Sequence, residues 1–177
     1  MRRTLTVVSS CVAAASILAL GITVAGLAST SSSSGTAATT SETTGETTTT
    51  EGPKTTKYRA ALTVRAEVPK PKGVKAGAGG TFKVDLTESS GSYSVAWTLT
   101  FKNLTGKAAA AHVHRGKPGK AGPVVVSLCG PCRSGQKGKA KVSKTVASAM
   151  KAGLAYVNVH TKRNAAGEIR GQVKKAS

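Results

Sequence analysis

The sequence predicts an all-β domain, an antiparallel β-sandwich or barrel of seven to eight short strands with one short helix. Three observations carry that prediction. Apolar residues recur with period two in several separate runs, the pattern of half-buried strands. The runs are short and bounded by Gly, Pro, Ser and Lys turns. No helices alternate with them, as a doubly wound parallel sheet requires. The 177 residues suit one such core plus targeting segments, and an aromatic content of 3% excludes a large aromatic-packed interior.

At the amino end, Arg2 and Arg3 precede an uncharged run from Thr4 to Ala28 with small residues at Gly26 and Ala28. Residues 1–28 are read as a signal peptide cut after Ala28. The run also exceeds the roughly 20 residues that span a bilayer, so an uncleaved anchor is the alternative. Cys11 stands at the start of the apolar stretch instead of its end, which argues against lipid attachment. Residues 29–56 are almost entirely Ser, Thr, Gly, Ala and Glu. Such a stretch cannot build a core and is read as a disordered linker with an end-to-end distance of roughly 30 Å.

The β domain is assigned to residues 57–177. Tyr58, Ala60, Leu62, Val64, Ala66 and Val68 occupy alternate positions, giving a first strand that runs to Val68 with Glu67 on its polar face. Phe82, Val84 and Leu86, a Ser/Gly turn, then Tyr93, Val95, Trp97, Leu99 and Phe101 form a hairpin. The segments AAAAHVH and PVVVSL are the next strands, and the polar, Gly-rich stretch from Arg133 onward reads as a loop. Ser143 is placed to cap a short helix with Val146 and Met150 four apart, ending near Lys151 with Gly153 just beyond. LAYVNVHT and GEIRGQV close the chain as two strands joined by KRNAAG.

Parity then groups the polar residues. His112 and His114 leave one face of their strand and Val113 the other; Asn158 and His160 oppose Val157 and Val159; Glu168 and Arg170 oppose Ile169. If the three faces coincide, six polar side chains form one cluster. One reading is a site for a single copper or zinc ion held by His112, His114 and His160, with Glu168 as a ligand or as support for one. The other is a hydrogen-bonded network of Asn158, Glu168 and Arg170 with the imidazoles, Glu168 pairing with Arg170 or orienting a histidine. Three histidines in the whole chain exclude a two-metal enzyme.

Cys129-Gly130-Pro131-Cys132 spells the thioredoxin redox motif, but a loop-like segment follows it where the redox proteins place an activating helix. With Cys11 removed in the leader, the two remaining cysteines are expected to pair as a disulfide in an oxidising compartment.

Tyr58 to Ser177 carries 22 basic residues against four carboxylates, Glu67, Asp85, Glu88 and Glu168. Such a surplus attracts polyanions in a salt-dependent way. For an exported chain the expected partners are anionic cell-surface polymers or an extracellular protein, met through Lys117, Lys120, Lys137, Lys139 and Lys141. No basic recognition helix, stacking stripe or zinc-finger spacing supports sequence-specific binding of nucleic acid. Membrane contact is expected only through an uncleaved leader. With no nucleophile beside a base, no metalloprotease helix and no phosphate loop, catalysis is not expected.

His112-Val113-His114, Gly122-Pro123-Val124-Val125-Val126, Tyr156-Val157-Asn158-Val159-His160 and Gly167-Glu168-Ile169-Arg170-Gly171 give the chain a specific likeness. From about Tyr58 to Lys175 it resembles the CHRD domain, a module first described in chordin and common in secreted bacterial proteins. The resemblance implies an extracellular, immunoglobulin-like β fold of Greek-key type and no established enzymatic activity. Chordin itself sequesters growth-factor ligands, but the cysteine-rich modules that bind them have no counterpart here, so that role is not carried over. His-Val-His also resembles a strand motif of copper-zinc superoxide dismutases, whose remaining histidines and aspartate are missing.

Overall fold

A computed structural model describes residues 52–177. The leader, Cys11 and the linker as far as Glu51 lie outside the described residues. The domain is all-β with one short helix: β1 (Lys54–Thr63), β2 (Gly79–Ser89), β3 (Ser92–Lys102), β4 (Ala108–Arg115), β5 (Val124–Cys129), β6 (Gln136–Val142), α1 (Lys144–Lys151), β7 (Ala155–Thr161), β8 (Ile169–Gln172) and the two-residue β9 (Lys174–Lys175). The strands pair antiparallel along one path, β5-β4-β7-β8-β1-β2-β3-β6, and β9 joins β1.

Strands β5 and β6 end that path yet are joined by residues 130–135 alone. A flat sheet of eight strands would set its outer members about 34 Å apart, whereas this connection reaches at most about 25 Å. The sheet therefore curls into a nearly closed barrel. Its inner face carries one apolar cluster that includes Leu62, Phe82, Leu86, Trp97, Leu99, Val157, Val159 and Ile169.

The period-two runs become strands with two departures. β1 begins at Lys54, so the last residues assigned to the linker are in the sheet. It also stops at Thr63, whose hydroxyl accepts from the Ala66 amide and caps a single 3-10 turn over Val64–Ala66. The turn breaks the alternation expected to reach Val68, and Glu67, expected on the polar face, is completely buried.

The second departure is β6, read from sequence as loop. QKGKAKV does alternate, but its inward positions are Gln136, Gly138, Ala140 and Val142, and small residues give a faint signal. Tertiary packing supplies the reason. Gly138 lies against the indole of Trp97, where any Cβ would run into the ring. The strand is a thin cover for a bulky partner on β3.

The helix forms as expected. Ser143 accepts from the Val146 amide at 3.3 Å, Val146, Ala147, Ala149 and Met150 are buried, and Gly153 follows with φ of 68°. The Cys129–Cys132 disulfide is formed, with Cα atoms 5.2 Å apart.

Candidate functional site

Register brings the histidines together. On the paired strands β4 and β7, His112 stands opposite Asn158 and His114 opposite Tyr156, while His160 lies across from Ala110. All three imidazoles leave the outer face, and their ligating nitrogens lie within 4.8 Å of one another. His112 Nδ1 is 3.0 Å from His160 Nε2, and the His114 ring centroid lies 5.8 and 6.2 Å from the other two.

Two of the rings are locked from behind. His114 Nδ1 lies 2.8 Å from the Gly122 carbonyl and His160 Nδ1 lies 2.9 Å from that of Ala165. A carbonyl only accepts, so each Nδ1 carries the proton and each Nε2 keeps a lone pair. The His160 lone pair meets His112 Nδ1; that of His114 is buried and has no partner among the described residues. Burial, then repulsion from the other two imidazoles, holds His112 below the ordinary histidine range. At His160 burial also wins over the Ala165 hydrogen bond and lowers the pKa, with His114 adding to the effect.

The clamp on His114 is built by the loop between β4 and β5. Gly122 approaches the Arg115 carbonyl so closely that a Cβ has no room, and its amide donates to the Tyr156 hydroxyl at 3.0 Å. Tyr156 stacks on His114 with centroids 4.9 Å apart, and the Arg170 guanidinium carbon lies 3.4 Å from the centre of the same phenol ring. Arg170 is 1% exposed and donates from Nη2 to the carbonyls of Lys117 and Lys120. The sequence identified Tyr156 only as a motif residue, and nothing local marks its hydroxyl as the brace for Gly122.

Glu168 does not join the cluster. Its amide donates to the Val159 carbonyl although Val159 pairs with Ile169, so two residues face one and the alternation expected at Glu168 is lost. Its carboxylate instead accepts from the Thr105 amide at 2.7 Å and hydroxyl at 2.5 Å, from the Thr161 hydroxyl at 2.6 Å and from Asn164 at 3.1 Å. Burial pushes this carboxyl up, but the hydrogen bonds together outweigh it and hold the group below its ordinary range. The acid that does face Asn158 and Arg170 is Glu67. Burial keeps its pKa above the usual value against the pull of the Val68 amide, Arg170, Asn158 and Lys70.

The five lysines expected to meet a polyanion fall in two places. Lys117 and Lys120 are in the loop over Arg170, and Lys137, Lys139 and Lys141 project from β6. The disulfide sits in the connection from β5 to β6, whose backbone is fixed by the Cys132 amide to Ala108 O and the Gly135 amide to Leu99 O.

Fold and site together describe an all-β module with a polar cluster on one outer face. Comparison with known families goes further: the CHRD domain family matches residues 58–173, and the chain belongs to that family. CHRD domains are non-enzymatic modules found in extracellular proteins. No curated protein and no solved structure matches the chain. Among the described residues, no helix is long and apolar enough to cross a membrane.

Proposed function

We propose that this CHRD domain is an extracellular, non-catalytic module that holds one copper or zinc ion between His112, His114 and His160. The observation that carries the reading is the unpartnered, buried Nε2 of His114, on a ring grouped with two further imidazoles so that one nitrogen from each of the three lies within 4.8 Å of the others. Tetrahedral bonds of ordinary length to one ion place nitrogens about 3.3 Å apart, and His112 Nδ1 and His160 Nε2 already stand 3.0 Å apart. The carbonyls of Gly122 and Ala165 fix the tautomers of His114 and His160 that ligation needs. Lowered basicity at His112 and His160 favours the neutral, ligating form. Such an ion would replace the proton now shared by His112 and His160, and Glu168, committed elsewhere, takes no part.

The full chain, dialysed against metal-free buffer after loading, is expected to retain about one equivalent of copper or zinc by elemental analysis. At a free metal concentration of 100 times Kd the gain in stability is about 2.7 kcal/mol. His112→Ala and His160→Ala variants are expected to lose affinity on the order of 100-fold while melting as the metal-free parent does. A domain that remains empty at micromolar free metal, or one whose loading survives both substitutions, overturns the reading.

A further inference from the structure

On the outer face of β1, β2, β3 and β6 lies a shallow trough of about 720 Å³. Register defines its walls. Arg59, Lys83, Thr98 and Lys137 form one row across the four strands, and Lys57, Asp85, Ala96 and Lys139 form the next. Cations thus stand on β1 and β2 on one side and on β6 on the other, about 10 Å apart across β3 by strand spacing. Between them the floor is Ala96 and Thr98, too short to fill the gap.

We propose that this trough binds a linear polyanion whose phosphate charges are separated by uncharged polyol units, crossing β3 from one cationic wall to the other. Folding does not account for the arrangement. Arg59 and Lys83 are direct cross-strand partners, and like charges so placed cost stability. The trough's single side-chain carboxylate, Asp85, makes no ion pair, and the Arg59 guanidinium donates only to the Ser177 hydroxyl, at 3.4 Å; among the described residues the one ion pair is Lys151 with Glu88, elsewhere. Five exposed cations therefore surround one acid and await external anions.

The occupant follows from the floor. A chain charged at every link would lay anions over Ala96 and Thr98, which offer one hydroxyl and no cation. A chain with neutral, hydroxyl-bearing spacers puts charges at the walls and spacers on the floor. The nearby aromatics, Tyr58 and Trp97, are 5% and 6% exposed, so the trough lacks faces on which bases stack. That disfavours single-stranded nucleic acid.

The test uses the full chain and immobilised poly(glycerol phosphate). Binding is expected to weaken at least about 10-fold between 50 and 200 mM salt, following counterion release. The triple variant Lys83→Ala, Lys137→Ala, Lys139→Ala is expected to weaken it at least about 10-fold. Lys117→Ala, Lys120→Ala, Lys162→Ala, with the same loss of charge outside the trough, is expected to change it less than about 2-fold. Thermal melts verify that both variants fold, and His112→Ala binds the polymer like the parent, separating this site from the metal reading. Equal weakening by the two triple variants, salt-insensitive binding, or tighter capture by dextran sulfate or double-stranded DNA of matched charge overturns the proposal.

Discussion

Neither Glu67 nor Glu168 occupies the place that alternation assigns it, and each departure has a local cause. A 3-10 turn after Thr63 rotates Glu67 inward toward Asn158 and Arg170, and the extra residue opposite Val159 sends Glu168 to Thr105, Thr161 and Asn164. Thr63, whose hydroxyl caps the turn, and Gly167, with φ of 132° just before the extra residue, mark the two irregularities, but neither residue type shows where the carboxylate beyond it goes. The histidines were legible because they sit in regular strand, where i and i+2 share a face. Glu168 also yields a prediction with a definite sign. Its folded pKa is depressed, so its contribution is present above the unfolded value near 4.5 and is lost as pH falls through the lower folded value. Glu168→Gln is expected to cost about 1.5–3 kcal/mol at pH 7, the range for hydrogen bonds to a charged group. The gap between parent and variant in urea melts is expected to narrow as pH drops below 4.5; a gap independent of pH contradicts the assignment.

Among the elements, β6 shows where patterning fails. Lys137, Lys139 and Lys141 alternate with Gly138 and Ala140, and a strand whose inward side chains are nearly absent resembles a loop in any reading by hydrophobicity. It is a strand because β3 offers it a ladder from Tyr93 to Leu99 and because Trp97 needs a neighbour without a Cβ. Gly138→Ala is therefore expected to destabilise the domain by about 1–3 kcal/mol through overpacking. The exposed neighbour Lys137→Ala is expected to stay within about 0.5 kcal/mol. Equal stability of Gly138→Ala and the parent in thermal or urea melts removes this account of β6. By contrast α1 was legible to the residue, since its cap, its buried pair four apart and its terminal glycine are all local signals.

For the molecule as a whole, the connection from β5 to β6 joins the two ends of the sheet path, and the disulfide lies within it. Closing a loop this short removes little freedom from the unfolded chain, about 2 kcal/mol in the loop-entropy model. The backbone bonds to Ala108 and Leu99 hold the same segment independently. Replacing Cys129 and Cys132 together by Ser is thus expected to lower stability by no more than about 2 kcal/mol, with cooperative unfolding retained in calorimetry. Loss of the cooperative transition contradicts this. Sequence alone determined the strand class, the helix, the cysteine pairing, the family likeness and the shared face of the histidines, because strand period and cap chemistry act over a few neighbouring residues. Only the tertiary structure decided that Glu67 replaces Glu168 beside Arg170, that Tyr156 and Gly122 brace His114, and that cations from three strands line one trough. Those outcomes depend on register and bulges between segments far apart in the chain, which no local pattern encodes.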